Sequence, residues 1–196
     1  MNSTDSRPSE LFSGYADRLQ GVLSSVSWEM LEPLAVDLLR CWRQQRQVFL
    51  CGNGGSAANA MHLANDFLYG ISRGDGPGLR VHALSANSSV LTCLGNDCGY
   101  PEIFAKQLEA QARPHDLVVA LSGSGNSPNI VRVLEQARAM GVVSYAILGY
   151  SGGTAKALAD VVIHFAVDDM QIAEDLQLVV GHMLMRWLRE NRSQAQ

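Results

Sequence analysis

Two short loops rich in glycine, serine and asparagine have the composition of an anion-binding site. The first covers residues 52–56 and follows an apolar run at 48–51, and the second covers residues 122–127 after an apolar run at 117–121. Glycines let backbone N–H groups approach a ligand closely, serine hydroxyls add donors, and the start of a following helix favours negative charge. One such loop alone is more often a tight turn. Two loops of one design predict a phosphate site.

Neither loop is a nucleotide-binding fingerprint, because the Walker lysine is absent and the Rossmann glycine spacing fails. To act together, the loops need a sheet that brings them to one edge. Apolar runs expected as strands occur at 48–51, 79–84, 117–121, 143–148 and 161–165. Helical segments separate them, which predicts an α/β fold with a doubly wound parallel sheet and right-handed crossovers. In such a sheet both loops lie at the carboxyl ends of their strands, where ligands bind.

Helices are expected at both ends of this sheet region. Residues 11–26 and 28–47 predict two N-terminal helices, and residues 169–192 predict a long C-terminal helix. In the second, Leu31, Ala35, Leu38 and Trp42 form one apolar stripe. Pro33 is compatible only with the first turn. The predicted organisation is one domain over 1–196, with a flexible N-terminus at 1–10, N-terminal helices at 11–47, and the α/β core with its C-terminal helix at 48–192.

Composition narrows the class of protein. The chain has 196 residues, 47% of them hydrophobic and 17% charged, with a net charge of -4, as in an ordinary globular enzyme. The excess of acidic over basic side chains argues against nucleic-acid binding through phosphate neutralisation. No apolar run approaches the roughly 20 residues of a membrane helix. The four cysteines match neither a zinc motif nor a disulfide framework, so we expect reduced thiols and a cytoplasmic protein.

Five motifs in one order make the chain resemble a known family. They are Cys51-Gly-Asn-Gly-Gly-Ser56, Ala60-Met61-His62, Gly95-Asn96-Asp97, Ser122-Gly-Ser-Gly-Asn-Ser127, and a late helix carrying Glu174 and His182. Together they resemble the phosphoheptose isomerase family of SIS-domain proteins. The resemblance implies a flavodoxin-like subunit in a homotetramer, and an aldose–ketose isomerase that converts sedoheptulose 7-phosphate to a heptose 7-phosphate in heptose biosynthesis.

The resemblance also implies the site residues. The substrate phosphate would lie against Ser122, Ser124 and Ser127. The other substrate-binding positions that it implies are Asn53, Gly54, Gly55, Ser56, Asn96, Asp97, Gly123 and Glu174. In the family, a glutamate four residues after the motif histidine is base and metal ligand, and a late glutamine and histidine complete a zinc site.

Two positions depart from that pattern. Asp66 replaces the family glutamate, and Glu174 replaces the late glutamine. His62 and Asp66 are spaced i and i+4, so they lie on one helix face. Aspartate is one methylene shorter, which retracts a base and matters for proton transfer. The implied metal ligands are therefore His62, Asp66, Glu174 and His182, with zinc as the candidate metal.

The proposed chemistry is proton transfer through an enediol. Asp66 is assigned as the base and His182 as the acid/base partner, with a metal or Asn96 polarising the oxygens. Helical periodicity alone favours Asp175 over Glu174, because Asp175 lies seven residues before His182 and Glu174 lies roughly 80° off that stripe. We follow the resemblance and assign Glu174.

Two other interpretations stay open at this stage. A non-catalytic SIS module would bind a sugar phosphate, or a protein partner such as a replication initiator, and the aspartate at position 66 keeps this reading open. An isomerase of another phosphosugar would retain the same loops. Turnover of sedoheptulose 7-phosphate discriminates between them.

Overall fold

A computed structural model describes residues 7–195. Five strands and eight α-helices are found in this range: α1 (Pro8–Ser25), α2 (Glu32–Arg43), β1 (Gln47–Gly52), α3 (Gly55–Asn65), β2 (Arg80–Ala83), α4 (Ser88–Asp97), α5 (Ala105–Gln111), β3 (Leu117–Ser122), α6 (Pro128–Met140), β4 (Val143–Leu148), α7 (Ala155–Leu158), β5 (Val161–His164) and α8 (Met170–Glu190). Among the described residues, no helix is both long and apolar enough to span a membrane.

The strands form one parallel sheet in the order β2-β1-β3-β4-β5. The chain reverses direction across the sheet between β1 and β3, which is the switch point where ligands bind in doubly wound folds. Gly52 pairs with Leu121 in this ladder, so the two glycine-rich loops leave neighbouring strands at the same edge. The predicted α/β fold with a doubly wound parallel sheet, N-terminal helices and a long C-terminal helix is confirmed.

Helices cover both faces of the sheet. On one face α2, α3 and α8 pack on a core that includes Leu38, Leu63 and Leu176. On the other face α5, α6 and α7 pack on a second core that includes Phe104 and Leu134. Because both faces are covered, the central strands β1, β3 and β4 are buried over almost their whole length, as their apolar runs predicted, whereas the edge strand β2 exposes Arg80 and His82.

The N-terminal helices differ from their predicted bounds. Helix α1 already begins at Pro8, so residues 8–10 of the predicted flexible N-terminus are helical, and residues 1–6 lie outside the described part. The second helix opens with a 3₁₀ turn over Trp28–Leu31, which places Pro33 in the first turn of α2. It ends at Arg43 rather than 47, because Gln45 adopts a positive φ of 55°. The predicted apolar stripe of α2 is buried.

Two further boundaries matter for the site. Helix α3 is followed by a π-helical turn at Asp66–Gly70, so Asp66 opens a wider turn. Helix α8 starts after Asp169, whose carboxylate accepts hydrogen bonds from the backbone N–H groups of Gln171 and Ile172. Helices α4 and α5 had no predicted counterpart.

Candidate functional site

A pocket of about 250 Å³ lies at the switch point of the sheet. The two loops and the start of α8 line it, and the lining residues are Asn53, Gly54, Ser56, Leu121, Ser122, Gly123, Ser124, Ser127, Met170 and Glu174. Most residues predicted to bind substrate are therefore brought together. No lysine or arginine is among the lining residues, so an anion here would be held by hydroxyl groups, backbone N–H groups and helix N-termini.

The serine hydroxyls of the second loop are oriented by the loop itself. Ser122 Oγ accepts a hydrogen bond from the Gly125 N–H at 3.0 Å, and Ser124 Oγ accepts one from the Asn126 N–H at 3.3 Å. A serine hydroxyl that accepts from the protein still has its own proton to donate. Ser122 and Ser124 are therefore set as donors, which suits the acceptor oxygens of a phosphate.

Close packing holds this loop in place. Gly125 has φ +68°, and a side chain there would collide with the backbone of Gly152, so the position requires glycine. Asn126 accepts hydrogen bonds from the backbone and hydroxyl of Thr154 at 2.9 and 3.2 Å. The donors of the loop are thus fixed before any ligand binds.

The first loop is fixed by an amide pair that the sequence did not reveal. The side chains of Asn53 and Asn129 exchange two hydrogen bonds of 2.8 Å, and the Tyr100 hydroxyl donates to Asn53 Oδ1 at 2.9 Å. Asn129 is fully buried in the first turn of α6. No periodic or motif signal distinguishes Asn129 or Tyr100, and only the fold brings them to the loop.

Glu174 lies against the start of α3. A Cβ placed on Gly55 would come within 2.5 Å of Glu174 Cδ and nearer still to Oε2, so only glycine leaves room for this carboxylate. The N-terminus of a helix favours a negative group. Glu174 therefore meets one of the two helix N-termini beside the pocket, and the other is that of α6.

At the far end of α3, three side chains meet. Nε2 of His62 lies 2.9 Å from Nε2 of His182, and Asp66 Oδ2 lies 3.5 and 3.6 Å from these two nitrogens. We call His62, Asp66 and His182 the histidine–aspartate cluster. Side-chain exposure is 48% for His62 and 49% for His182 but 14% for Asp66, so the imidazoles face outward over a mostly buried carboxylate.

The cluster has the composition of a metal site. Its ligand atoms all lie within 4.8 Å of one another. Two ligands of a tetrahedral zinc, each at about 2.1 Å from the ion, are roughly 3.4 Å apart. The observed separations lie close to this value, so the donors fit zinc with little adjustment. Glu174 does not belong to this group, and Asp175 instead accepts a hydrogen bond from the Tyr15 hydroxyl.

Asn96 and Asp97 do not line the pocket of the single chain. They end α4, where the Asn96 amide donates to Asp97 Oδ1 at 2.7 Å and Asp97 lies 3.5 Å from Cys93 Sγ.

The hydrogen bond to Asp97 raises the pKa of the Cys93 thiol. Burial raises the pKa of Cys51, directly before the first loop, to about 12. Neither thiol is therefore a ready nucleophile.

Comparison with known proteins relates this chain to SIS-domain proteins. Residues 14–149 match the family model described as SIS domain. A phosphoheptose isomerase of Akkermansia muciniphila is 38% identical over 87% of this chain and 89% of its own length. One of Nitratidesulfovibrio vulgaris is 38% identical over 77% and 72%. The structure of a phosphoheptose isomerase from Neisseria gonorrhoeae superposes with a TM-score of 0.84 at 27% identity, covering 92% of this chain and 97% of that one.

Proposed function

The chain belongs to the phosphoheptose isomerase family of SIS-domain proteins, and from this premise we propose that it is an aldose–ketose isomerase acting on sedoheptulose 7-phosphate. The observation that carries the proposal is the helix pair α3 and α8. It holds a donor-lined pocket at one end and a carboxylate with two imidazoles at the other. One end suits a phosphate, and the other suits proton transfer.

The phosphate belongs with the second loop in this proposal. Ser122 and Ser124 offer hydroxyl donors, and Ser127 stands at the N-terminus of α6. Asn53, Gly54 and Ser56 supply the facing wall of the pocket. A phosphate held here extends the sugar chain along α3 toward the histidine–aspartate cluster. Asn96 and Asp97 keep their predicted contact with the sugar as part of the proposal.

Isomerisation moves a hydrogen between adjacent carbons through an enediol, so it needs a base at carbon and an acid at oxygen. Asp66 takes the first role and His182 the second. Their separation of 3.6 Å lets one substrate segment lie within reach of both groups. The aspartate side chain is only 14% exposed, and its backbone opens the π-helical turn.

A zinc ion would be held by His62, Asp66 and His182, and Asp66 would then have to exchange between metal ligand and base. Bound there, a divalent cation supplies electrostatic stabilisation of developing negative charge on substrate oxygens. Glu174 is a substrate-side group in this proposal rather than a ligand, because it lies outside the cluster.

Assembly and location complete the proposal. Helix α1 has no buried residue over its whole length, and Leu11 and Phe12 are 61% and 72% exposed. Apolar side chains also stand exposed next to the cluster, at Met61, Leu68 and Met183. These surfaces support a homotetramer. The proposal further takes the chain as a single domain over 1–196 that works in the cytoplasm. Sedimentation equilibrium should give four chains, and a monomer at micromolar concentration would contradict it.

The decisive experiment is turnover. Purified protein incubated with sedoheptulose 7-phosphate should yield the aldose, and Asp66→Asn and His182→Ala should each lower kcat by at least about 100-fold. Glu135→Gln, an exposed change on α6, is the matched control and should leave kcat unchanged. Parental rates in both site variants would show that this mechanism is wrong. Binding of the sugar phosphate without turnover by the parent would favour the non-catalytic module.

A further inference from the structure

A hydrogen-bonded series of buried polar side chains connects α8 to the wall of the pocket. Asn59 Nδ2 lies 2.9 Å from the backbone carbonyl oxygen of Glu174 and 3.0 Å from Gln177 Oε1. Gln177 Nε2 in turn lies 3.0 Å from Ser56 Oγ. Gln177 is 1% exposed, Ser56 3% and Asn59 9%. Three polar side chains are thus removed from water within the contact between α3 and α8.

One acceptor, the backbone carbonyl of Glu174, determines the direction of every hydrogen bond in this series of side chains. The backbone carbonyl of Glu174 can only accept, so the Asn59 group facing it must be the NH₂. That NH₂ also faces Gln177, whose amide oxygen must therefore point to Asn59. The NH₂ of Gln177 is left to face Ser56. Ser56 Oγ consequently accepts a hydrogen bond from inside the protein, and its own proton is free to donate into the pocket.

We propose that Gln177, aligned by Asn59, is a positioning residue that keeps Ser56 as a hydrogen-bond donor toward the phosphate of the substrate. This deepens the proposed function and rests on it. Ser56 then joins Ser122 and Ser124, whose hydroxyls are set as donors by loop N–H groups. The pocket presents donors from both of its walls, which compensates for the absence of a lysine or arginine among its lining residues.

Reversing the direction of the hydrogen bond between Gln177 and Ser56 tests the positioning role of Gln177. Gln177→Glu keeps the size of the side chain but removes the NH₂, so Ser56 would donate to the new carboxylate and no longer to the ligand. We expect KM for the sugar phosphate to rise roughly tenfold or more, as for loss of a hydrogen bond to a charged group. We expect kcat to stay within about twofold, because the histidine–aspartate cluster is untouched. Gln44→Glu, exposed at the end of α2, is the matched control and should change neither value.

A double-mutant cycle separates positioning from general stability. In a Ser56→Ala background the hydroxyl is gone, so Gln177→Glu should raise KM by no more than about twofold further. An equal rise in both backgrounds would overturn the proposal, as would an unchanged KM in the single variant. If Gln177→Glu does not fold, Gln177→Met takes its place in the same cycle. Gln177→Met leaves the Ser56 hydroxyl unrestrained, so it should raise KM severalfold when Ser56 is present and not in the Ser56→Ala background.

Binding of inorganic phosphate, measured by calorimetry, distinguishes this inference from the proposed function. If the parent binds phosphate and Gln177→Glu weakens that binding only when Ser56 is present, the positioning role holds even for a chain that does not isomerise heptulose phosphate. If turnover is normal and phosphate binding is the same in parent and variant, the proposed function holds and the positioning role is wrong.

Discussion

Gly181 is the residue through which α3 and α8 approach closely enough to form the histidine–aspartate cluster. A Cβ at this position would lie 2.7 Å from Leu63 Cδ1 and 2.9 Å from Leu63 Cγ, and closer still to Cδ2. Both residues are buried, and each is the direct neighbour of a cluster histidine. Gly181→Ala should therefore push the two helices apart where His62 meets His182.

The size of the effect follows from two opposing contributions. Carbon atoms in contact are about 3.5–4.0 Å apart, so Leu63 would have to yield by about 1 Å. Overpacking of this kind costs about 1–3 kcal/mol, while alanine gains about 1 kcal/mol over glycine inside a helix. We expect a net loss of about 0–2 kcal/mol in the free energy of unfolding. That loss corresponds to a fall in Tm of up to roughly 8 °C for a chain of this size.

The effect on activity should be much larger than the effect on stability. A misplacement of about 1 Å in catalytic groups costs on the order of 100-fold in rate. Urea unfolding and initial isomerisation rates would be measured together for Gly181→Ala. The matched control is Gly21→Ala in α1, where a Cβ meets nothing within 4 Å, so activity should stay at the parental level.

A second substitution tests the cause. Leu63→Ala removes the atoms that the new methyl group would strike, so the double variant should be more stable than the sum of the single changes indicates, by about 1 kcal/mol or more. It should also recover part of the lost rate. Parental activity in Gly181→Ala, or strict additivity with Leu63→Ala, would refute the claim that close approach of the helices builds the cluster.

Three further outcomes are expected. Gly55→Ala should displace the Glu174 carboxylate from the start of α3 and lower kcat/KM about tenfold, with the free energy of unfolding changed by less than about 1 kcal/mol. Gly14→Ala, with open space around its Cβ in α1, should leave kcat/KM unchanged and raise the free energy of unfolding by up to about 1 kcal/mol. Chelation of divalent metal should lower the temperature of unfolding of protein loaded with zinc, and an unchanged temperature would remove zinc from the proposal. Burial, followed by the hydrogen bond to Asp175, raises the pKa of Tyr15 from 10.0 to about 12, so its contribution to stability is complete below pH 10 and is lost between pH 10 and 12. Tyr15→Phe should therefore flatten that part of the stability profile measured by urea unfolding.

The sheet and its loops could be predicted because their signals are local. An apolar run buried on both faces followed by glycine and serine has few other interpretations, and residues 48–56 and 117–127 both follow this pattern. The first turn of α2 was predictable for the same reason, since Pro33 is tolerated nowhere else in the helix. Each of these predictions depended on neighbours in sequence.

Contacts between distant helices could not be predicted in this way. Gln177 was indistinguishable from any polar residue of an amphipathic helix, yet it lies buried against Ser56. Periodicity favoured Asp175 for the site, but in the fold that carboxylate bonds to Tyr15 on α1. Glu174 lines the pocket with its carboxylate at the start of α3, and the three side chains that meet farther along are His62, Asp66 and His182. These contacts depend on the register of the two helices, that is, on which residues of α3 face which residues of α8. The sequence of neither helix specifies this register.

The register of α3 against α8 fixes the distance between the pocket and the histidine–aspartate cluster. Gly55 faces Glu174, and His62 faces His182, so α3 and α8 run side by side in the same direction. The pocket is at their N-terminal ends and the histidine–aspartate cluster is farther along. Seven residues separate Gly55 from His62, and at 1.5 Å per residue they span roughly 10 Å. Because a packed helix pair does not stretch, the distance between bound phosphate and reacting carbon is set by the backbone. If the phosphate is held at the serines, as proposed, a spacing of this size favours an extended seven-carbon substrate over a short phosphosugar. Under this proposal, the same helix contact assembles the cluster and sets the length of substrate that the site accepts.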